Sequence, residues 1–509
     1  MTDNLPDLER GVAATDFEQR PMLVGRVGAE QVLVVKRGSE YFAVAALCTH
    51  YHGHLVEGLL VDCTVRCPWH HACFDVRTGM VERGPALDPL DRWQVEQQDG
   101  RIIVRHKLER VRTSQRAAES QPESVVIVGG GAAGLAAALK LRRTGYQRAL
   151  TLVSADADAP YDRPNLSKDY LAGTAPEDWL PLRSEEFYRD NGIDLVLGTA
   201  ARGLDASQRK LTLQSGRELS FDRLLLATGA APVRVQIVGA EPDRVLYLRS
   251  VMDCRAIIER AAAAQRVVLL GSSFIAMEAA ASLRTRGLDV HVVGRDSVPL
   301  QRVLGEQVGG FLRRLHESRG IVFHLGTSIE RIAGRTVILG DGTTLDADFV
   351  VVGAGVRPVD DLARAAGMTV NNGVTVDEYL MTSANGIYAA GDIAAWPDSR
   401  SGERLRVEHW VVAQRQGETV ARNMLGARER FTAVPFFWTQ QFDVTINYVG
   451  HASAWDQVRI DGDLEQRDCT IRFERGGRLL AVATMSRDLE SLTAELELER
   501  LTPCSTSGT

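Results

Sequence analysis

Hydrophobic positions along the chain fall into distinct textures. Up to residue 108 they come as short valine-bearing runs such as Gln31–Val35 and Tyr41–Ala45, broken by Gly and Pro, which predicts an all-β module. Residues 105–122 are polar with almost no periodic apolar face, and a linker is assigned to 109–122. Val125–Val128 then reads as an apolar strand, followed by glycines and a helical run, Leu135–Arg143. The same strand–glycine–helix unit recurs at Val267–Leu283. Two such units about 140 residues apart predict two nucleotide-binding α/β domains. The first is assigned to 123–236 and 346–428, the second to 237–345. From Phe431 short strands return, with Trp438, Phe442, Tyr448 and Trp455, and predict a separate α+β domain at 429–509.

Composition narrows the function classes. The chain has 509 residues, 45% hydrophobic and 25% charged, as in an ordinary globular protein of several domains. A net charge of −7 argues against nucleic acid as a partner. No apolar run approaches the roughly 18 residues of a membrane span. Met1–Gly11 is polar and acidic, without a signal-peptide core, so the expected location is the cytoplasm. Seven cysteines in a chain of this length are no disulfide framework. Four of them, Cys48, Cys63, Cys67 and Cys73, cluster beside His50, His52, His54, His70 and His71.

That cluster has an internal order: Cys48-x-His50, then sixteen residues, then Cys67-x-x-His70. Each loop offers one thiolate and one imidazole. Zinc fingers usually pair Cys with Cys and His with His along the chain, so mononuclear zinc is the weaker reading. A Rieske [2Fe–2S] centre needs two Cys on one iron and two His on the other, which the alternation supplies. Cys63 and Cys73 read as buried thiols rather than ligands. The segment resembles the Rieske family. High-potential members carry an additional Cys in each loop, at positions held here by Gly53 and Trp69, so the resemblance implies the low-potential, ferredoxin-like subgroup. The family usually has Gly after the second His; here it is His71. His52, His54 and His71 are expected to be non-ligands, with ligand exchange or proton transfer as the alternative.

Gly129, Gly131 and Gly134, with Ala133 between, fit GxGxxG directly after a strand and at the start of a helix. Such glycines let a pyrophosphate approach the helix N-terminus. An acid at the end of the next strand should bind ribose hydroxyls; Asp156 is the candidate and Asp158 the fallback. In the second unit Gly271 is followed by Ser273 in place of the middle glycine, then Phe274, Ile275 and Glu278.

Residues 160–168 read PYDRPNLSK, and with Ala227-Thr228-Gly229, GIYAAGD at 386–392, VEHWVVAQRQG at 407–417 and VPFFW at 434–438 they resemble the FAD-dependent ferredoxin reductases of oxygenase systems and the apoptosis-inducing-factor-like proteins. The resemblance spans roughly 123–505. It implies a glutathione-reductase-like pair of dinucleotide-binding α/β domains of the three-layer ββα type, followed by a small α+β C-terminal domain. It places Arg163 on the FAD phosphates, Lys168 beside the flavin, Asp392 (after Gly391) on the ribityl chain, and Glu408, Trp410 and Trp438 around the isoalloxazine. Thr228, Gly229 and Gly355 join the cofactor-binding candidates. The second unit is implied to bind NAD(P)H, with Glu278 near the nicotinamide and pairing with Lys168 as the catalytic pair. Only five of the 59 basic residues are lysine, so retention of Lys168 suits a need for a compact ammonium. In NADH enzymes of this kind the strand Asp289–Val293 is followed by an acid; here Gly294 and then Arg295 follow, which predicts NADPH use or dual specificity.

The resulting expectation is an FAD-dependent NAD(P)H oxidoreductase whose flavin converts two-electron to one-electron chemistry for its own cluster. An oxygenase, a cytochrome P450 or a ferredoxin would be the external acceptor. No cysteine lies between Glu123 and Asp253, so electrons are not expected to leave through thiols. The linker is expected to hold the cluster near the flavin by tethering, without affinity, and a homodimer is compatible with this reading. Two alternatives stay open: an NAD(P)H-responsive redox sensor, and a flavin oxidase whose Rieske module only docks.

Overall fold

The computed structural model describes residues 5–109 and 121–501; the expected linker therefore lies mostly outside the described residues. Its polar approach does not begin at 105, because Arg101–Leu108 is one continuous strand.

The valine-rich runs of the N-terminal module pair as a six-stranded antiparallel sheet. Its order is Val12–Ala13, Arg101–Leu108, Arg92–Gln98, Glu40–Ala45, Glu30–Arg37, Met22–Val27. A four-stranded antiparallel sheet, Leu59–Val61, Thr64–Arg66, Cys73–Asp75 and Val81–Arg83, packs beside it. Leu33, Val35, Val44, Phe74 and Val81 form the core between them, and Cys48 and Cys67 sit in that core.

Two parallel five-stranded sheets follow. In the first, Ser124–Val128 lies at the centre of the order Ile193–Val196, Ala149–Val153, Ser124–Val128, Arg223–Leu226, Ile387–Ala389. Helix α1, Ala132–Arg143, leaves the end of the central strand. The second sheet runs Val245–Tyr247, Phe349–Val352, Arg266–Leu270, Asp289–Gly294, Val322–Leu325, with helix α2, Phe274–Thr285, after its central strand. Each unit adds a three-stranded antiparallel sheet, at Ala201–Ser220 and Ile329–Asp346, giving the ββα layering. Phe349–Val352 lies beyond the expected border at 346 yet pairs with Val245–Tyr247 and Arg266–Leu270, so it belongs to the second unit. An all-apolar run of four residues carries no mark of which of two parallel sheets it joins.

Helix α3, Trp410–Met424, returns to pack along α1. The two helices touch backbone to backbone where Gly417 meets Ala133: a Cβ on Gly417 would lie 2.2 Å from the Ala133 carbonyl oxygen. Gly417→Val is therefore expected to force α3 off α1 at a cost of about 1–3 kcal/mol. Calorimetry and the flavin content of the purified protein check this; a variant with native flavin content and melting temperature contradicts the packing argument.

The last unit is a five-stranded antiparallel sheet, Phe436–Gln441, Val444–Gly450, Arg478–Met485, Asp468–Arg475, Gln457–Asp463, crossed by helix α4, Asp488–Arg500. Among the described residues no helix is long and apolar enough to cross a membrane.

Candidate functional site

The two Cys/His loops are built alike. Cys48 N–H donates to the Gly53 carbonyl (2.9 Å) and Cys67 N–H to that of Ala72 (2.8 Å), each five residues on. His52 N–H returns to Cys48 (3.0 Å) and His71 N–H to Cys67 (3.2 Å), each from four residues on. Both turns require a left-handed residue, and His52 and His71 take it with φ of 60°. This accounts for the glycine usual at the second position. The loops close on each other at Gly53, where a Cβ would meet Cys67 Sγ at 3.0 Å and the Trp69 ring at 3.1 Å; the two positions that carry cysteine in disulfide-braced relatives are thus neighbours.

The closure sorts the donors. His50 Nδ1 and His70 Nδ1 lie 3.2 Å apart with their rings nearly perpendicular. Two ligands at about 2.0–2.1 Å on one tetrahedral ion would be about 3.3 Å apart. Cys48 and Cys67 hydrogen-bond each other, which raises the Cys48 thiol above its ordinary range and lowers that of Cys67. Burial lowers His50 to about 4 and, with the neighbouring His50, takes His70 well below the usual histidine value, so both imidazoles stay neutral as metal ligation requires. Among the described residues no three His, Cys, Asp or Glu side chains converge on one ion position. The donors stand as a sulfur pair and a nitrogen pair, which fits two irons better than one zinc. Cys63 and Cys73 are free thiols, Cys73 fully buried, while His52 and His54 are exposed.

The two dinucleotide units face one cavity of about 950 Å³, near the upper end for ligand sites. Gly129, Gly131, Ala133, Asp156, Arg163, Lys168, Thr228, Gly229, Gly391, Asp392, Glu408, Trp410 and Trp438 line it, joined by Ser273, Phe274, Ile275, Glu278 and Gly355. Three candidates do not. Gly134 serves packing, since a Cβ there would meet the Gly129 carbonyl at 1.9 Å. Gly271, at φ 122°, lets its strand pass Gly353. Arg295 is exposed at the end of its strand and makes no ion pair among the described residues. Asp158, the fallback, pairs with Arg255 at 3.0 Å instead of facing the cavity.

The lining fits a dinucleotide. Gly131 caps α1 without a side chain, and a Cβ there would meet nothing within 4 Å, so open space faces the free N–H groups of the first turn. Ser273 at the start of α2 also leaves its helix uncapped, its hydroxyl donating to the Gly353 carbonyl at 3.0 Å. Asp156 accepts from Tyr161 (3.0 Å), and Asp392 pairs with Arg249 (2.7 Å), a lining residue that no local motif announced.

Lys168 and Glu278 meet directly, Nζ to Oε2 at 2.8 Å. The Glu278 carboxylate, 4% exposed, also accepts from Ser167 Oγ (2.5 Å), Thr439 Oγ1 (2.7 Å) and Gln440 N–H (3.2 Å). Three units meet at this acid, and Ser167, Thr439 and Gln440 carry no sequence signal beyond adjacency to Lys168 and Trp438.

The cluster module sits at the cavity mouth. The His70 ring lies 4.3 Å from the Trp438 ring, and Lys168 Nζ lies 5.9 Å from the same indole. Tyr51 stacks on His50 at 4.1 Å and donates to Asp162, next to Arg163. Arg183–Asp88 (2.8 Å) and Gly84 N–H to Glu418 (3.3 Å) add to the seam. Docking by polar contacts across this seam, buried at Glu418 and partly exposed at Tyr51 and Asp88, replaces the affinity-free tethering expected from the linker.

Two dinucleotide units on one cavity, with a two-Cys, two-His module at its mouth, define a nicotinamide-dependent oxidoreductase. The chain belongs to the pyridine nucleotide-disulphide oxidoreductases, whose family model matches residues 123–417. The Rieske [2Fe-2S] domain model matches 11–94 and the reductase C-terminal model 436–503. These matches imply FAD, NAD(P)H and a [2Fe–2S] cluster. Apoptosis-inducing factor 3 of Homo sapiens is 33% identical over 492 residues, covering 93% of this chain and 81% of that protein. Putidaredoxin reductase of Pseudomonas putida is 32% identical over 378 residues, covering 72% and 90%. Among solved structures, the covalent putidaredoxin reductase–putidaredoxin complex matches with a TM-score of 0.72 at 31% identity, covering 75% of this chain and 94% of that one.

Proposed function

We propose that this chain is an NAD(P)H-dependent flavoprotein reductase that passes electrons through FAD to its own Rieske cluster and on to an external acceptor protein, an oxygenase, a cytochrome P450 or a ferredoxin. When bound, the flavin supplies the change from two-electron hydride chemistry to single electrons. The observation that carries the proposal is the contact of the cluster ligand His70 with Trp438, which itself lines the dinucleotide cavity. Arg163, Asp156 and the α1 N-terminus would hold the FAD diphosphate and ribose, and Asp392 the ribityl chain. Lys168, held by Glu278 at 2.8 Å and lining the cavity, would offer its ammonium to the negative charge of a reduced flavin ring. Cys48, Cys67, His50 and His70 would ligate the cluster.

Such a chain takes up three electrons, two at the flavin and one at the cluster. Anaerobic titration with NAD(P)H, followed by absorbance and EPR, is expected to show this stoichiometry. Uptake of two electrons with no Rieske-type EPR signal would reject the proposal.

NADPH is the favoured donor. Gly294 leaves no acid to repel a 2′-phosphate; a Cβ there would lie 2.9 Å from Ser272 Oγ, so the position resists a larger side chain. Arg295 stands exposed beside it as a partner for that phosphate. Arg295→Ala is expected to lower kcat/KM for NADPH about tenfold, the worth of one exposed charge-assisted pair, and to leave NADH unchanged. Equal losses with both nucleotides would remove Arg295 from this role.

A further inference from the structure

His71, the residue in place of the usual glycine, points into the seam between three units, toward Glu495, Ser491 and Phe436. Its side chain is fully buried. Nδ1 lies 3.0 Å from Glu495 Oε2 and Nε2 3.2 Å from Ser491 Oγ, both on α4, and the ring stacks on Phe436 at 4.0 Å. Glu495, with no exposed side-chain surface, is held also by Arg415 of α3 (2.7 Å) and by Arg66 of the cluster module (3.5 Å). Arg415 Nη2 donates to the His71 carbonyl at 3.1 Å. One turn on, Glu499 accepts a two-pronged bond from Arg66 (2.8 and 3.2 Å) and pairs with Arg83.

Charged side chains are almost never fully buried unless paired. Here a single carboxylate ties together groups from all three units: Arg66 and His71 from the cluster module, Arg415 from the FAD-side helix, and its own helix from the C-terminal unit. Without it, the buried Arg66 and Arg415 and the partly exposed Arg83 would share, among the described residues, Glu499 as their one remaining ion-pair partner. Breaking a buried pair from one side is strongly destabilising because the remaining charge is left uncompensated.

We propose that Glu495 is the positioning residue that locks the cluster module onto its own flavin site, so that cluster reduction is a step within one chain whose speed depends on this clamp. This deepens the function proposed above and rests on it. The Glu495 carboxylate lines no part of the dinucleotide cavity and bonds to none of the four ligand candidates; it reaches their loop through Arg66 and His71, the chain neighbours of Cys67 and His70, and so acts on the placement of that loop.

The test uses the full-length holoprotein and its Glu495→Ala and Glu495→Gln variants. Stopped-flow absorbance reports flavin reduction by NADPH, freeze-quench EPR reports cluster reduction, and hydrogen exchange with small-angle X-ray scattering reports docking. For Glu495→Ala, flavin reduction stays within twofold of the native rate, while cluster reduction slows on the order of tenfold or more as the docked population falls. Exchange in 66–75 and 488–500 rises, and so does the radius of gyration. Glu495→Gln, which keeps the side-chain shape and part of the hydrogen bonding, falls between and carries the test if the alanine variant does not fold. Cluster reduction within twofold of native, with unchanged exchange and scattering, would overturn the clamp. A native protein whose cluster NADPH never reduces would instead overturn the parent reading, and exchange and scattering would still judge the clamp.

Discussion

Cys67→Ser is expected to leave hydride acceptance from NAD(P)H intact and to abolish one-electron delivery to a protein acceptor. Cys67 is 1% exposed, its backbone is fixed by the bond to Ala72, and its sulfur faces that of Cys48. A serine hydroxyl there is neither a thiolate nor easily ionised, so the sulfur pair that would hold one iron is broken. Changes outside the ligand shell already cost metal sites about 10–100-fold, and loss of a ligand costs more. The dinucleotide cavity contains no atom of Cys67, so flavin binding should persist. The check is parallel measurement of NADPH-driven flavin bleaching and of reduction of a one-electron protein acceptor. Onward transfer equal to native would mean that the Rieske module only docks, the flavin-oxidase alternative.

Glu278→Leu is expected to have the second large effect. The acid is buried, and it accepts from Ser167, Lys168, Thr439 and Gln440. Leucine leaves the Lys168 ammonium, whose side chain is only 11% exposed, without its counter-ion. Orphaning one member of a buried ion pair costs about 3–5 kcal/mol. The displaced ammonium no longer points at the cavity, and loss of one such aimed charge slows a reaction about 100-fold or more. Denaturant stability and the rate of single-turnover flavin reduction would both fall, whereas Glu278→Gln, whose single amide oxygen keeps two of the four acceptor contacts, would lose mainly rate. Native stability and rate in the leucine variant would show that the carboxylate is a bystander.

Local motifs made much of this site legible. The four candidate cluster donors lie in two turns of the same design, so spacing alone singled them out. The glycines at 129, 131 and 134 act within one strand–turn–helix unit and Asp156 follows the next strand, whereas Arg163 and Lys168 were legible only through the family resemblance, and the Glu278 partner of Lys168 lies 110 residues on. Long-range partnerships left no such mark. Arg66 and Glu499 are 433 residues apart, and His71 and Glu495 are 424 apart. Helix α4 buries Ser491 and Glu495 along with Leu492, Ala494 and Leu498, so polarity misreports which of its positions face inward. His71 was visible as an exception to a pattern, but its φ of 60° and its partner on α4 needed the fold. The strand Phe349–Val352 shows the same limit for boundaries: its four apolar residues suit either parallel sheet, and only pairing assigns it.

In the proposed reaction, electrons reach the cluster from the flavin of the same chain. The most direct measurement is the rate of cluster reduction after mixing the oxidised holoprotein with excess NADPH, followed by freeze-quench EPR across a wide range of protein concentration. Flavin reduction is predicted to precede the Rieske signal, and the rate of the second step is predicted to be independent of protein concentration, as docking through His70, Trp438 and Glu495 requires. A rate that rises in proportion to protein concentration, or a cluster that stays oxidised beside a fully reduced flavin, would contradict it.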